Sequence, residues 1–274
     1  MLGTLQRAAS DLKSTLPPER AHGISLLEGL LKDARFRGVK EVAMVCQVLT
    51  ACLQDADSFV YLRAIRGLRI AVDTHAADVL PPLAQHFVDR HATLEHDSRI
   101  KLAEALGGAC RRCGETLPQW APHIVRCLLA TLAERAASAS ASSARSSALS
   151  EQARVSELRT SCLSLLADVG STVGARAMPQ FPRVVACAAA ALQTRAPGKH
   201  AFAPSTRRAA AFLLASLLDT CDASDVVPLE APLRAMRAPL AHAAGGERDA
   251  STRIHAKRAL ARLDAVSKAF FFPR

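Results

Sequence analysis

A chain of 274 residues, half of them hydrophobic but only 4% aromatic, must build its core from Ala, Leu and Val, side chains that suit closely packed helices. Its net charge of +10 suits an acidic partner surface or nucleic acid, yet the basic residues are scattered and few aromatics stand among them to stack on bases. The longest stretch without a charged side chain, Val42 to Gln54, is 13 residues, too short to cross a bilayer, and no signal-peptide pattern opens the chain. The expected setting is cytoplasmic, with access to the nucleus left open.

The elements follow a helical period throughout, and neither sustained strand-like alternation nor an Asn-Gly hairpin turn interrupts it. Residues 1–16 read as a partial repeat helix with Leu2, Leu5, Ala9 and Leu12 at helical spacing. Because repeat arrays end in polar caps, this uncovered stripe suggests the C-terminal piece of something longer. Pro17-Pro18 then opens a helix to about Asp33 that buries Ile24, Leu27, Leu30 and Leu31. A helical hairpin follows over 39–53 and 57–72. Asp55, Asp57 and Ser58 offer side-chain oxygens to the free N–H groups of its second helix, and Val60, Ala64, Leu68 and Val72 make the apolar stripe. Arg63, Arg66 and Arg69 stand at i, i+3 and i+6 on another face.

Next come Asp78–Arg90, with Pro81-Pro82 near its start, and a helix whose cap is expected at His96-Asp97-Ser98. Setting D-S-F-V-Y-L at 57 beside D-S-R-I-K-L at 97 gives a period of forty residues, two helices per unit, which is that of HEAT and armadillo-like arrays. Further pairs follow from Pro118 and Glu151, from Met178 and Ser205, and over 226–243 and 249–268. The Ser/Ala-rich tract at 135–150 reads as a flexible insertion within a repeat, since it has no large apolar residue to offset the entropy of ordering it. The expected fold is an all-α, HEAT/armadillo-like α-solenoid of about five to six hairpins. It is divided into 1–16, repeats over 17–134, the insertion at 135–150, repeats over 151–247, and a terminal helix and cap over 248–274.

Motifs for chemistry are missing. The chain has no G-x-S-x-G, P-loop, H-E-x-x-H or dinucleotide turn, so neither catalytic residues nor a cofactor site is expected. Cys46, Cys52, Cys127, Cys162 and Cys187 sit in apolar helical runs as small hydrophobes. Cys110 and Cys113 form a C-R-R-C, but no second pair completes a zinc site. His86, His91 and His96 recur every five residues and cannot share one helical face. Nor does the Arg63-Arg66-Arg69 triplet repeat forty residues on, where Ala103, Leu106 and Ala109 stand, so no repeating nucleic-acid code is expected.

The segment D-A-D-S-F-V-Y-L-R-A-I-R-G-L (55–68) resembles the transport and Golgi organisation protein 6 family, whose fungal members are factors required for nuclear transport of RNA polymerase II. R-I-H-A-K-R-A-L-A-R-L-D-A-V-S-K-A-F-F-F-P (253–273) is similar to the closing motif of the same family, and D-V-L-P-P-L-A and S-R-I-K-L-A-E-A-L also fit. The resemblance implies a non-enzymatic HEAT-repeat adaptor assisting cytoplasmic assembly and nuclear import of RNA polymerase II. Its implied partners are polymerase subunits, assembly chaperone cofactors or transport factors. The alternative it implies is a protein-interaction factor of the secretory pathway and Golgi organisation. Asp55, Asp57, Ser58, Phe59, Val60, Tyr61 and Leu62 then form a family signature read as structural, the first three as caps and Phe59 and Tyr61 as packing between repeats. Arg63, Arg66 and Arg69, with Phe270, Phe271 and Phe272, are the candidate protein-interaction residues; the phenylalanines either plug the end of the last hairpin or anchor a partner.

Overall fold

The computed structural model describes residues 2–88, 94–138, 145–193 and 202–271, with side chains outside 134–138 and 145–151. The fold is all-α, and its contacts divide the chain into two compact units, Met1–Cys113 and Gly114–Arg274.

The first unit holds α1 (Leu2–Asp11), α2 (Pro17–Lys32), α3 (Val39–Ala51) continued by a 3-10 turn, α4 (Ser58–Val88) and α5 (His96–Cys113). One non-helical residue, His75 (φ −141°, ψ 43°), divides α4 into arms at 58–74 and 76–88. The break expected between the helix ending near Val72 and the next starting at Asp78 is therefore a single residue. The first arm of α4 lies between α2 and α5, with α3 packed on it. Its stripe forms the core: Val60, Ala64, Leu68 and Val72 are all at most 1% exposed. Burying a Val or Leu side chain contributes about 1.5–3 kcal/mol each, far more than helix propensity supplies.

The cap of α4 is Asp57, whose Oδ1 accepts from the Phe59 N–H at 2.8 Å. That satisfies one of the donors a helix start leaves free. Helix α5 departs from its expectation: it starts at His96, with the Glu95 carbonyl accepting from Arg99 N. Asp97 and Ser98 thus sit inside its first turn rather than ahead of it.

The second unit holds α6 (Ala121–Ser138), α7 (Arg145–Val173), α8 (Phe181–Gln193), α9 (Pro204–Asp219), α10 (Glu230–Gly246) and α11 (Ala250–Phe271). Helices α7, α9 and α11 pack in succession, and α8 packs on α10 behind them. The run Leu158, Cys162, Leu165, Leu166 and Val169 is buried on α7 as its period predicts. Residues 139–144 of the Ser/Ala tract and 194–201 of the Gly/Pro loop lie outside the described residues.

The same arginine clamp ties a helix to the turn before the next helix but one, α2 to α4 in the first unit and α9 to α11 in the second. In the first, Arg20, fourth residue of α2, grips Asp55 with Nε at 2.8 Å and Nη2 at 3.0 Å. In the second, Arg207, fourth residue of α9, grips Glu247 with Nε at 2.7 Å and Nη2 at 3.1 Å. Both acids stand three residues before the next helix, and both also accept backbone N–H groups of that turn. Two-pronged guanidinium–carboxylate pairs are among the stronger polar contacts, and these four side chains are at most 20% exposed.

The clamps set a pH dependence. The Arg20 hydrogen bond holds the Asp55 carboxyl below the usual carboxylate range. Burial pushes Glu247 up, but the Arg207 hydrogen bond and backbone N–H groups outweigh it and the net shift is down. Depressed folded-state values mean the stabilisation is fully present above the unfolded carboxylate range, about pH 4, and is lost as pH falls through the folded values. Thermal melts taken from pH 7 down to pH 3 should show wild type losing stability below about pH 4, and Arg207→Ala losing less over the same interval. Parallel curves would mean the clamp contributes nothing to the acid limb.

Candidate protein-interaction surface

A wheel drawn on α4 explains where its arginines go. Taking about 100° per residue and the middle of the buried stripe as reference, Arg63 and Arg69 fall roughly 120° to either side. Phe59, Leu62 and Arg66 fall about 140–180° away, on the opposite face. Each flank faces a neighbouring helix, while the third direction faces outward.

The contacts follow that geometry. On the α2 side, Arg63 Nη2 donates to Ser25 Oγ at 2.8 Å, and Nε lies 3.3 Å from Glu28 Oε1. Arg66 Nε is 3.8 Å from the other oxygen of the same carboxylate. The Glu28 side chain is only 5% exposed, so the pair is a charge contact in a desolvated position, where removing one partner costs more than at the surface. On the α5 side, Arg69 Nη2 donates to Glu104 Oε1 at 3.2 Å. Gly108 makes room for that guanidinium, since a Cβ there would run into Arg69 Nε.

The three arginines therefore do not form one uniform patch. Two carboxylates, Glu28 and Glu104, stand against three guanidinium groups, leaving one net positive charge (3 − 2 = 1). Arg66 carries it outward, with its side chain 60% exposed. Beside it on the same face are Phe59, 59% exposed, and Leu62, 51% exposed. Phe59 was expected between repeats and instead stands on the surface, because its place about 160° from the stripe centre turns its ring away from both α2 and α5. Tyr61 does make the contact between repeats: the Lys101 ammonium sits 3.8 Å from its ring centroid and donates to the Leu53 carbonyl at 2.8 Å. Ser58 begins the helix, and Val60 is in the core.

At the other end of the chain, Phe270 and Phe271 meet edge to face at 5.2 Å, and they are 37% and 69% exposed. Phe271 borders a cleft of about 210 Å³ with Leu233, Leu263 and Arg237. Phe272 lies outside the described residues, as does His91.

Glu28, Glu104 and Gly108 are the functional neighbours that sequence reasoning overlooked. A lone Glu in the apolar run I-S-L-L-E-G-L-L was the available signal for the first, because a buried carboxylate needs a cation. Among the described residues no group of three His, Cys, Asp or Glu side chains could hold one metal ion. Burial alone pushes the Cys46 thiol up to about 12 and is the main cause raising Cys221 to the same level, so both stay protonated and behave as apolar filling. No described helix is long and apolar enough to cross a membrane.

Stacked helical hairpins with buried stripes, joined by contacts from one hairpin to the next, define a helical-repeat protein of the HEAT/armadillo class. Residues 5–116 match the family described as "Required for nuclear transport of RNA pol II C-terminus 1", the family that the 55–68 segment resembles. The match nearly coincides with the first compact unit. Among solved structures, Kap121p is similar over 98% of this chain and 26% of its own, with a TM-score of 0.60 and 14% identity. The chain thus spans about a quarter of that protein, and the likeness is one of fold. A designed armadillo repeat protein matches over 94% of this chain and 99% of its own, at a TM-score of 0.49 and 12% identity.

Proposed function

We propose that the chain is a non-catalytic helical-repeat adaptor that serves nuclear transport of RNA polymerase II, assisting its assembly in the cytoplasm and its import. The observation that carries this reading is the match of residues 5–116 to a family so described. The Phe59–Leu62–Arg66 face is the contact we assign to it, because it combines two exposed large apolar side chains with the outward-facing Arg66. Such a face takes a partner segment with apolar anchors and an acidic flank. Phe270 and Phe271 supply a second apolar contact of the same kind.

The test is capture of purified polymerase subunits, assembly cofactors and transport factors by the intact chain. The triple variant Phe59→Ser, Leu62→Ser, Arg66→Glu should lose at least tenfold in capture while its helical circular dichroism and melting temperature are unchanged. Phe270→Ser with Phe271→Ser is measured alongside for the second contact. Undiminished capture by the triple variant would remove the α4 face from the reading. Capture of coat and Golgi proteins, with no polymerase subunit bound, would move the assignment to the secretory pathway.

A further inference from the structure

Three helices of the fold carry an arginine at their fourth residue with one way of anchoring it. Arg20 Nη1 donates to the Ser14 and Thr15 carbonyls at 3.2 and 3.0 Å. Arg207 Nη1 donates to the Phe202 carbonyl. Arg253, fourth residue of α11, donates Nη1 to the Glu247 and Arg248 carbonyls at 2.8 and 2.9 Å. In every case the acceptor lies five or six residues back, in the turn that leads into the arginine's own helix.

A guanidinium is planar and rigid, so fixing one nitrogen from the same helical position presents the Nε–Nη2 edge in the same way. In Arg20 and Arg207 that edge holds Asp55 and Glu247, each three residues before the following helix. Among the described residues no carboxylate meets the Nε–Nη2 edge of Arg253. Arg99, fourth in α5, departs from the pattern: its Nε and Nη2 both donate to the Phe87 carbonyl.

The flank beside Arg253 is uncovered as well. Four and eight residues after the clamping arginines, α2 buries Ile24 and Glu28, and α9 buries Ala211 and Ala215. At the same offsets α11 exposes Lys257 and Ala261, and Ile254 next to Arg253 is 64% exposed. The neighbouring Arg258 is already held by Asp219, and Arg208 by Asp249, while the part-exposed Arg253 and the exposed Lys257 and Arg248 stand as positive groups at this corner.

We propose that Arg253 is a preset carboxylate socket, docking an acidic turn of a protein partner in which an Asp or Glu stands three residues ahead of a helix, with Ile254 as its apolar neighbour. The chain's own clamps name the partner's chemistry: acid–x–acid followed by a helix, as in Asp55-Ala56-Asp57 and Glu247-Arg248-Asp249. Lys257 adds charge complementarity to such a turn, and the mostly polar flank suits a reversible contact rather than a permanent one. The socket lies in the second unit and stands apart from the polymerase reading, so neither depends on the other.

A fluorescein-labelled peptide of residues 53–68, which contains one such turn and the start of its helix, is the probe. It is titrated by anisotropy against the intact chain. Saturable binding is expected, weakened at least tenfold by Arg253→Ala, by Arg253→Lys, and by Asn at both acidic positions of the peptide. Arg258→Ala should leave it unchanged. Arg253→Lys can still donate to the two carbonyls but lacks the fork, so it decides the matter even if Arg253→Ala loses its fold. Equal binding of the acidic and Asn peptides, absence of binding, or indifference to Arg253→Lys would overturn the proposal.

Discussion

Arg63→Glu is expected to destabilise the first unit by about 3–5 kcal/mol, whereas Arg66→Glu, three residues further on, should change stability by less than about 1 kcal/mol. The two arginines contact the same carboxylate, but from different surroundings. Arg63 has a side chain 32% exposed, with its Nε 3.3 Å from a Glu28 oxygen, and it also donates to Ser25. Reversing it sets a second carboxylate against one that is 5% exposed, and neither can escape to water without disrupting the α2–α4 contact. Arg66 is 60% exposed at 3.8 Å, so a Glu there turns outward and is solvated. Urea denaturation of each variant decides it: the midpoint should drop sharply for Arg63→Glu and barely move for Arg66→Glu, with slopes unchanged. Equal losses would mean the wheel argument misplaces the outward face. Reversing all three arginines together therefore confounds folding with binding, and only the Arg66 face is a clean site for an interaction test.

Gly170→Val should destabilise the second unit by about 2–4 kcal/mol, as overpacking of a filled core does. Helix α7 lies against α9, and a Cβ built on Gly170 falls 2.5 Å from Leu217 Cδ2, a side chain that is 0% exposed. Valine adds two methyl groups beyond that Cβ, and its branching limits the rotamers with which it could avoid Leu217. The loss should appear as a fall in melting temperature of roughly 5–15 °C, at about 2–4 °C per kcal/mol for a unit of this size. Rescue by Leu217→Ala in the same chain would identify the clash as the cause. A Gly170→Val chain that melts with wild type would show that α7 and α9 separate more easily than their packing implies.

The stripe of α4 shows how far a sequence carries. Val60, Ala64, Leu68 and Val72 sit at a spacing only a helix places together, and a core face defines its opposite. The outward position of Phe59, Leu62 and Arg66 was therefore legible in principle. It was obscured by treating i, i+3 and i+6 as one face, although that spacing drifts by about 60° per step. The cap expected at Asp97 failed for a related reason. A side chain able to cap is equally at home inside a first turn, and the choice fell to where Glu95 and Arg99 make their backbone bond.

The amino-acid sequence by itself determined the all-α class, the hairpin period and the buried stripes, because each is a local pattern of apolar side chains read at helical spacing. It also carried a family resemblance in the residues from Asp55 to Leu68, which fall inside the 5–116 match. Only the tertiary structure decided which charges remain available. Glu28 is 35 residues from Arg63 and Glu104 is 35 from Arg69, and no local rule joins residues so far apart. Packing α2 and α5 on either side of α4 brings those carboxylates to the flanking arginines and leaves Arg66 facing outward. Packing α2 on α4 and α9 on α11 likewise supplied Asp55 to Arg20 and Glu247 to Arg207, and among the described residues the packing supplied no carboxylate to the fork of Arg253.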